Sequence, residues 1–139
     1  MLSHRYKGGI SGASPLEIQL SADATHPLYV VGFSAMGENA SGSASKPVLT
    51  RPSSPGVGTG SALPLSPSSP TASGSLVTSF SSPPSLPSVN VGAFNLPLRL
   101  RWMASPGQEV VLGVSGSLLL YAYASGGHTW SGELLWEER

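Results

Sequence analysis

The chain has 139 residues, a formal net charge of zero and only 10% charged residues, well below the roughly 25% of ordinary soluble domains. Its 17 Gly and 13 Pro disfavour long helices, being the two poorest helix formers, and the absence of Cys excludes a disulfide framework and thiolate metal ligation. The length is that of one domain able to bury roughly two-thirds of its unfolded surface, and so neutral a surface points to permanent assembly, since net charge keeps like molecules apart; a monomer solubilised by Ser-rich loops is the alternative.

Residues 1–14 are polar and Gly-rich without hydrophobic periodicity. They predict an N-terminal arm, carrying Arg5, Tyr6 and Lys7, that is either disordered or tied down by a neighbouring subunit. The arm has no apolar core of the signal-peptide kind, and no apolar run approaches the roughly 18 residues of a membrane span. Synthesis and use without membrane export, and no membrane partner, are expected. Leu16, Ile18 and Leu20 then alternate with Glu17 and Gln19, a short strand with one wet face. Residues 28–34 read as a central strand, with Tyr29, Val31 and Phe33 on one face and Leu28, Val30 and Gly32 on the other; Gly32 marks a bulge or a close backbone approach. After turn chemistry at 36–45, residues 46–51 form a short strand ending on Arg51, placed at an edge by Pro47, which has no amide to donate.

No charged residue occurs from 52 to 98. The Pro, Ser and Gly of its first part bury too little apolar surface to offset ordering entropy. Residues 52–74 are therefore read as a long excursion from a β-domain that resumes with the strand-like SLVTSF at Ser75.

From Leu96 to Trp136 the period is two. Leu96, Leu98, Leu100 and Trp102 share one face and Arg99 and Arg101 the other; Pro106-Gly107 predicts a hairpin turn. Val110, Leu112 and Val114 form the next apolar face, followed by a turn at 115–117. Leu118, Leu120, Ala122 and Ala124 then oppose Leu119, Tyr121 and Tyr123, a strand covered on both faces. The last run sets Trp130, Gly132, Leu134 and Trp136 against Ser131, Glu133, Leu135 and Glu137. These four strands have meander spacing. With strands near 16–20, 28–34, 46–51 and 75–80 the total is about eight. The fold expected for residues 15–139 is an all-β, antiparallel β-sandwich, jelly-roll-like.

Sites of chemistry are sparse. His4, His26 and His128 come with no His-x-His pair and no carboxylate cluster, so no metal site is expected. The Gly-x-Ser-x-Gly elbow is absent, and Asp23 is the only Asp. Glu133 and Glu137 share a strand face about 13 Å apart, too far for a carboxylate dyad by themselves. The run Gly56-Val57-Gly58-Thr59-Gly60 lacks the lysine of a phosphate loop. Seven basic residues spread along the chain do not make a nucleic-acid patch. No catalytic residue, cofactor or nucleic-acid partner is therefore expected. Arg99 and Arg101 could pair with Glu133 or Glu137 across subunits, or form solvated pairs within one. Tyr121, Tyr123 and Trp130 could anchor an interface or stack on sugars, with core placement the alternative for at least one of them.

The segments PVLTRPSSPGVGT (47–59), FNLPLRLRW (94–102) and SPGQEVVLGVSG (105–116), with a terminal strand closing on WEE (136–138), resemble small β-sandwich head decoration or cement proteins of tailed bacteriophages. The resemblance is one of pattern over most of residues 15–138. It implies a non-enzymatic virion protein on the capsid surface that associates as a trimer and clamps neighbouring major capsid subunits. In that reading Arg5, Tyr6, Lys7, Arg51, Arg99, Arg101, Tyr121, Tyr123, Trp130, Glu133 and Glu137 are the interface candidates, and the arm and the excursion reach outward. The rival reading is a tail or head-fibre adhesion module that binds host glycans through Tyr121, Tyr123 and Trp130.

Overall fold

The computed structural model describes residues 3–13, 15–38, 47–86, 99–123 and 129–139, the side chains of residues 38, 99 and 100 excepted. Its strands, in chain order, are β1 (His4–Ala13), β2 (Leu16–Ser21), β3 (Leu28–Glu38), β4 (Val48–Thr50), β5 (Val57–Thr59), β6 (Leu63–Pro64), β7 (Ser75–Val77), β8 (Ser79–Ser82), β9 (Arg99–Met103), β10 (Val110–Leu112), β11 (Ser117–Ala122) and β12 (Thr129–Glu138). Among the described residues there is no helix, and every strand pair is antiparallel. The first sheet has the order β10-β3-β12-β1-β6, with β9 also on β3; the second is β4-β11-β2-β7; β5 and β8 form a separate ribbon.

Pairing is nested. β1 lies on β12, β2 on β11, and β3 on both β10 and β9, and no two strands consecutive in sequence pair with each other among the described residues. This corrects the meander expected of residues 96–136. β9 and β10 follow one another along the same edge of β3, opposite residues 32–36 and 28–30. The turn between them, in which the Gln108 N–H donates to the Ser105 carbonyl at 2.8 Å, is not a hairpin. The turn at Gly113 to Gly116, with Ser115 at φ 59°, carries the chain into the second sheet instead of back along the first. Period-two alternation assigns each side chain to a face; it carries no information about the partner strand.

The inward faces of β2, β11 and β12 match expectation where they are described, whereas Val114 and Tyr123, expected on covered faces, are exposed. Trp130, Leu134 and Trp136 of β12 join Leu28, Val30, Ala35 and Leu112 from the first sheet, and meet Leu16, Ile18, Leu20, Leu118, Leu120 and Ala122 from the second in one buried cluster. Each large side chain so buried contributes about 1.5–3 kcal/mol. Leu96, Leu98, Ala124 and His128 lie outside the described residues. In β3 a bulge sets Gly32 opposite Leu135 but Val30 opposite Trp136. The inward set therefore switches from Leu28 and Val30 to Phe33 and Ala35, and Phe33, whose ring centroid is 5.8 Å from that of Trp102, no longer shares a face with Tyr29.

Residues 4–13 are a strand, not an arm: β1 pairs with β12 from His4 opposite Glu138 to Ile10 opposite Gly132. Its inward side chain Tyr6 is buried and stacks on Trp136, centroids 6.0 Å apart. The alternation is hidden in the sequence because the next inward position is Gly8, where a side chain would collide with Leu76.

The excursion is folded onto the domain. Its main chain is satisfied less by its own residues than by polar side chains that await it. The Gln19 amide donates to the Gly56 carbonyl at 3.0 Å and accepts from the Gly56 N–H at 2.8 Å. The Tyr6 hydroxyl donates to the Pro70 carbonyl at 2.8 Å. The Glu138 carboxylate accepts from the Ser73 N–H and hydroxyl at 2.8 Å and the Gly74 N–H at 3.1 Å. β6 adds to the edge of β1 opposite Tyr6 and Lys7. The ordering entropy that argued for a free loop is met by these bonds, and the wet face expected at Gln19 is covered: Gln19, with Leu119 and Val77 opposite it, is buried.

Candidate functional site

The outward side chains of the first sheet fall into rows that cross its strands. One row runs Met103, Gly32, Leu135, Lys7, Leu63; the next runs Arg101, Ser34, Glu133, Gly9; a third sets Met36 beside Ser131. The rows line a trough of about 770 Å³. Its floor is low because small residues occupy its middle. Gly32 is required there, since a side chain would strike the Met103 sulfur and the Trp102 carbonyl. The walls carry exposed Met103 and Leu63.

Three of the interface candidates, Lys7, Arg101 and Glu133, meet in this trough. Arg101 and Glu133 lie on the same row with Ser34 between them, so their α-carbons are two strand spacings, about 9.5 Å, apart. Neither forms an ion pair among the described residues. The expected pairing of Arg101 with Glu133 is not formed: the two share a row on either side of Ser34, one strand further apart than direct neighbours.

Glu137 pairs elsewhere, which corrects its expected link to Arg99 or Arg101. It accepts from Arg139 at 2.8 Å and from Arg5 at 3.3 Å. The Arg139 guanidinium, then burial acting in the opposite sense, then Arg5 set the balance, and the carboxyl is held below the usual carboxylate range. Arg139 also reaches Glu109 at 3.3 Å and lies 3.8 Å from the centre of the Tyr29 ring. This cluster caps one end of the same outward face, and its extra members, Tyr29, Glu109 and Arg139, have no spacing signal in the sequence because they come from three separated segments.

The remaining candidates scatter. Tyr6 and Trp130 are buried in the core, so neither is an interface anchor. Tyr121 lies on the outward face of β11 opposite Glu17, and burial, with the Glu17 charge adding to it, pushes its phenol up. Tyr123 is half exposed. Arg51 is exposed just beyond β4, and Arg99 is placed by its backbone opposite Met36. Among the histidines, the His4 ring lies 3.2 Å from the Ser69 hydroxyl. His26 meets the Asp23 carboxylate at 3.0 Å. The His26 ring, then the Thr25 and His26 backbone N–H groups, hold the Asp23 carboxyl well below its usual range. All of these bonds close one exposed turn at residues 23–26, which is a structural use of the pair. No group of three or more metal-binding side chains occurs among the described residues.

Two residues outside the expected set, Glu138 and Gln19, hold the excursion in place. Burial pushes the Glu138 carboxyl up, but the Ser73 and Gly74 N–H groups, the Trp136 indole N–H and the Ser73 hydroxyl outweigh it and hold the group below its usual value. The one sequence signal for Gln19 was Leu119: an apolar residue on the outer face of β11 implies that something covers its neighbours too. Comparison with known proteins finds no matching family model, no matching curated protein and no matching solved structure.

Proposed function

We propose that this chain is a non-enzymatic structural protein of the virion surface, a capsid decoration module that self-associates, as a trimer, and binds neighbouring major capsid subunits. The nested order of strand pairs around one shared core supports a jelly-roll sandwich as its architecture. The observation that carries the reading is the folded excursion. On a stretch without a single charge, Val57, Leu63, Leu65 and Leu86 stand 63%, 55%, 47% and 43% exposed. Interface cores are depleted in charge and enriched in apolar area, and large exposed apolar groups on a charge-free segment are the surface an assembly covers. The N-terminal segment is not what reaches out in this reading, because residues 4–13 are a strand paired with β12. The contact is made by an excursion already held rigid by Gln19, Tyr6 and Glu138, so association orders little further chain.

Light scattering at rising concentration, and occupancy on purified heads lacking the protein, test the reading. A trimer that binds heads is expected. The double variant Val57→Lys/Leu65→Lys should lose both properties while keeping the β circular-dichroism spectrum. A monomer with no head binding would overturn the proposal, and specific signals on a glycan array in that case would favour the adhesion reading.

A further inference from the structure

We propose that the trough on the outward face of the first sheet binds an extended peptide in which an acidic and a basic side chain are separated by one residue, next to an apolar side chain. The inference shares only the wall residue Leu63 with the decoration reading, and its test turns on Arg101 and Glu133, which that reading does not use.

Three observations carry it. First, Arg101 and Glu133 face each other across about 9.5 Å with only the Ser34 side chain between them, and neither has an ion-pair partner among the described residues. Two opposite charges held apart on rigid strands complement a ligand with the reverse order of charges. Alternate side chains of an extended peptide are about 6.7 Å apart, a span the two long side chains close by leaning inward. Second, the adjoining row is apolar on either side of Gly32, through Met103 and Leu135, before it reaches Lys7 on β1. A thioether adapts its shape to a varied apolar neighbour. Third, the rows line one continuous trough of about 770 Å³, room for several residues of an extended peptide. Among the described residues, none of the side chains in the three trough rows is aromatic, and the Tyr29 ring on the same outward face is covered by Arg139, so the trough has no stacking platform for a sugar; a neutral sugar would also leave both charges without counter-charges.

The probe is a capped, fluorescein-labelled heptapeptide, Gly-Leu-Glu-Leu-Lys-Leu-Gly, titrated with the full-length protein by fluorescence anisotropy at low salt. Saturable binding is expected, weakened roughly tenfold by Arg101→Glu or by Glu133→Lys, about the worth of one partly desolvated ion pair. The variants should exchange preferences: Arg101→Glu should favour the peptide with Lys at both charged positions, and Glu133→Lys the one with Glu at both. Because both residues are exposed and unpaired, the variants should keep the wild-type unfolding midpoint, and binding can be read on folded protein. Equal binding of all three peptides by wild type and variants, no binding of any, or binding only of maltoheptaose as the oligosaccharide control would each overturn the assignment.

Discussion

On the second sheet, the outward-facing Gln19, Leu119 and Val77 are as buried as the core, and the chain entering β5 is held at their centre, where Gly56 takes both hydrogen bonds of the Gln19 amide. On the first sheet, the outward-facing Arg101 and Glu133 are exposed, and the small residues between the rows leave an open trough. Both faces belong to strands of ordinary alternating pattern. What separates them is the path of a Pro- and Ser-rich segment that has almost no periodicity of its own. It is recruited to the one face that offers it a buried amide, and along β1 it reaches only the edge of the other, where β6 pairs with Tyr6 and Lys7.

The sharpest way to break this contrast is Gln19→Met. It keeps the volume but strands the Gly56 N–H and carbonyl in a buried setting, at about 1–3 kcal/mol for each group. A loss of roughly 2–5 kcal/mol is expected in urea unfolding, with early proteolysis within residues 52–62; a change under 0.5 kcal/mol would show that the cover is not held by this clamp.

Glu138→Gln comes next. It weakens the anchor of Ser73 and Gly74 and should cost about 1–2 kcal/mol at neutral pH. The sign of its pH dependence follows from the depressed folded value. The ionised carboxylate contributes fully above the ordinary carboxylate value of about 4.5, and the contribution fades as pH falls through the lower folded value. Wild type and Glu138→Gln should therefore converge in stability as pH falls from about 5 into the acid range below the ordinary carboxylate value, with the other carboxylates as shared background. A constant gap across that range would mean that the carboxylate charge plays no part.

Tyr6→Phe keeps the stack on Trp136 and removes only the bond to the Pro70 carbonyl. It should cost about 1 kcal/mol and raise amide exchange near residues 65–74 while leaving β12 unchanged. The smallest effect is expected on the open face, where Glu133→Ser should shift stability by less than about 0.5 kcal/mol. A loss above 1 kcal/mol there would mean that the trough, too, is part of the folded core's support.

Several features of the site were legible before the structure. Arg101 and Glu133 were assigned to outward faces by alternation alone, and they do share a row, although one strand further apart than a direct pair. Tyr6 reads as part of an arm because Gly8 hides the alternation of its strand, and Trp130 reads equally as interface or core because an aromatic ring on an alternating strand looks the same whether its face meets a core or a partner; both are core. Gln19 was placed on water for a similar reason: polarity at an alternate position signals an outward face, and outward is not the same as exposed when another segment of the chain comes to cover it.

By itself, the sequence determined that this chain is all-β and antiparallel in character, which residues of β2, β11 and β12 face inward, and where Pro and Gly interrupt the strands. These are local properties, set by the two-residue repeat of the extended backbone and by the few dihedral angles that Pro and Gly allow or forbid. Only the tertiary structure decided that residues 4–13 pair with the last strand, that strands adjacent in sequence part company into different sheets, and that the uncharged excursion covers one face and leaves the other open. Those choices depend on contacts between residues that can lie more than 130 positions apart, as His4 and Glu138 do. Such contacts carry a loop-closure cost that no local pattern records.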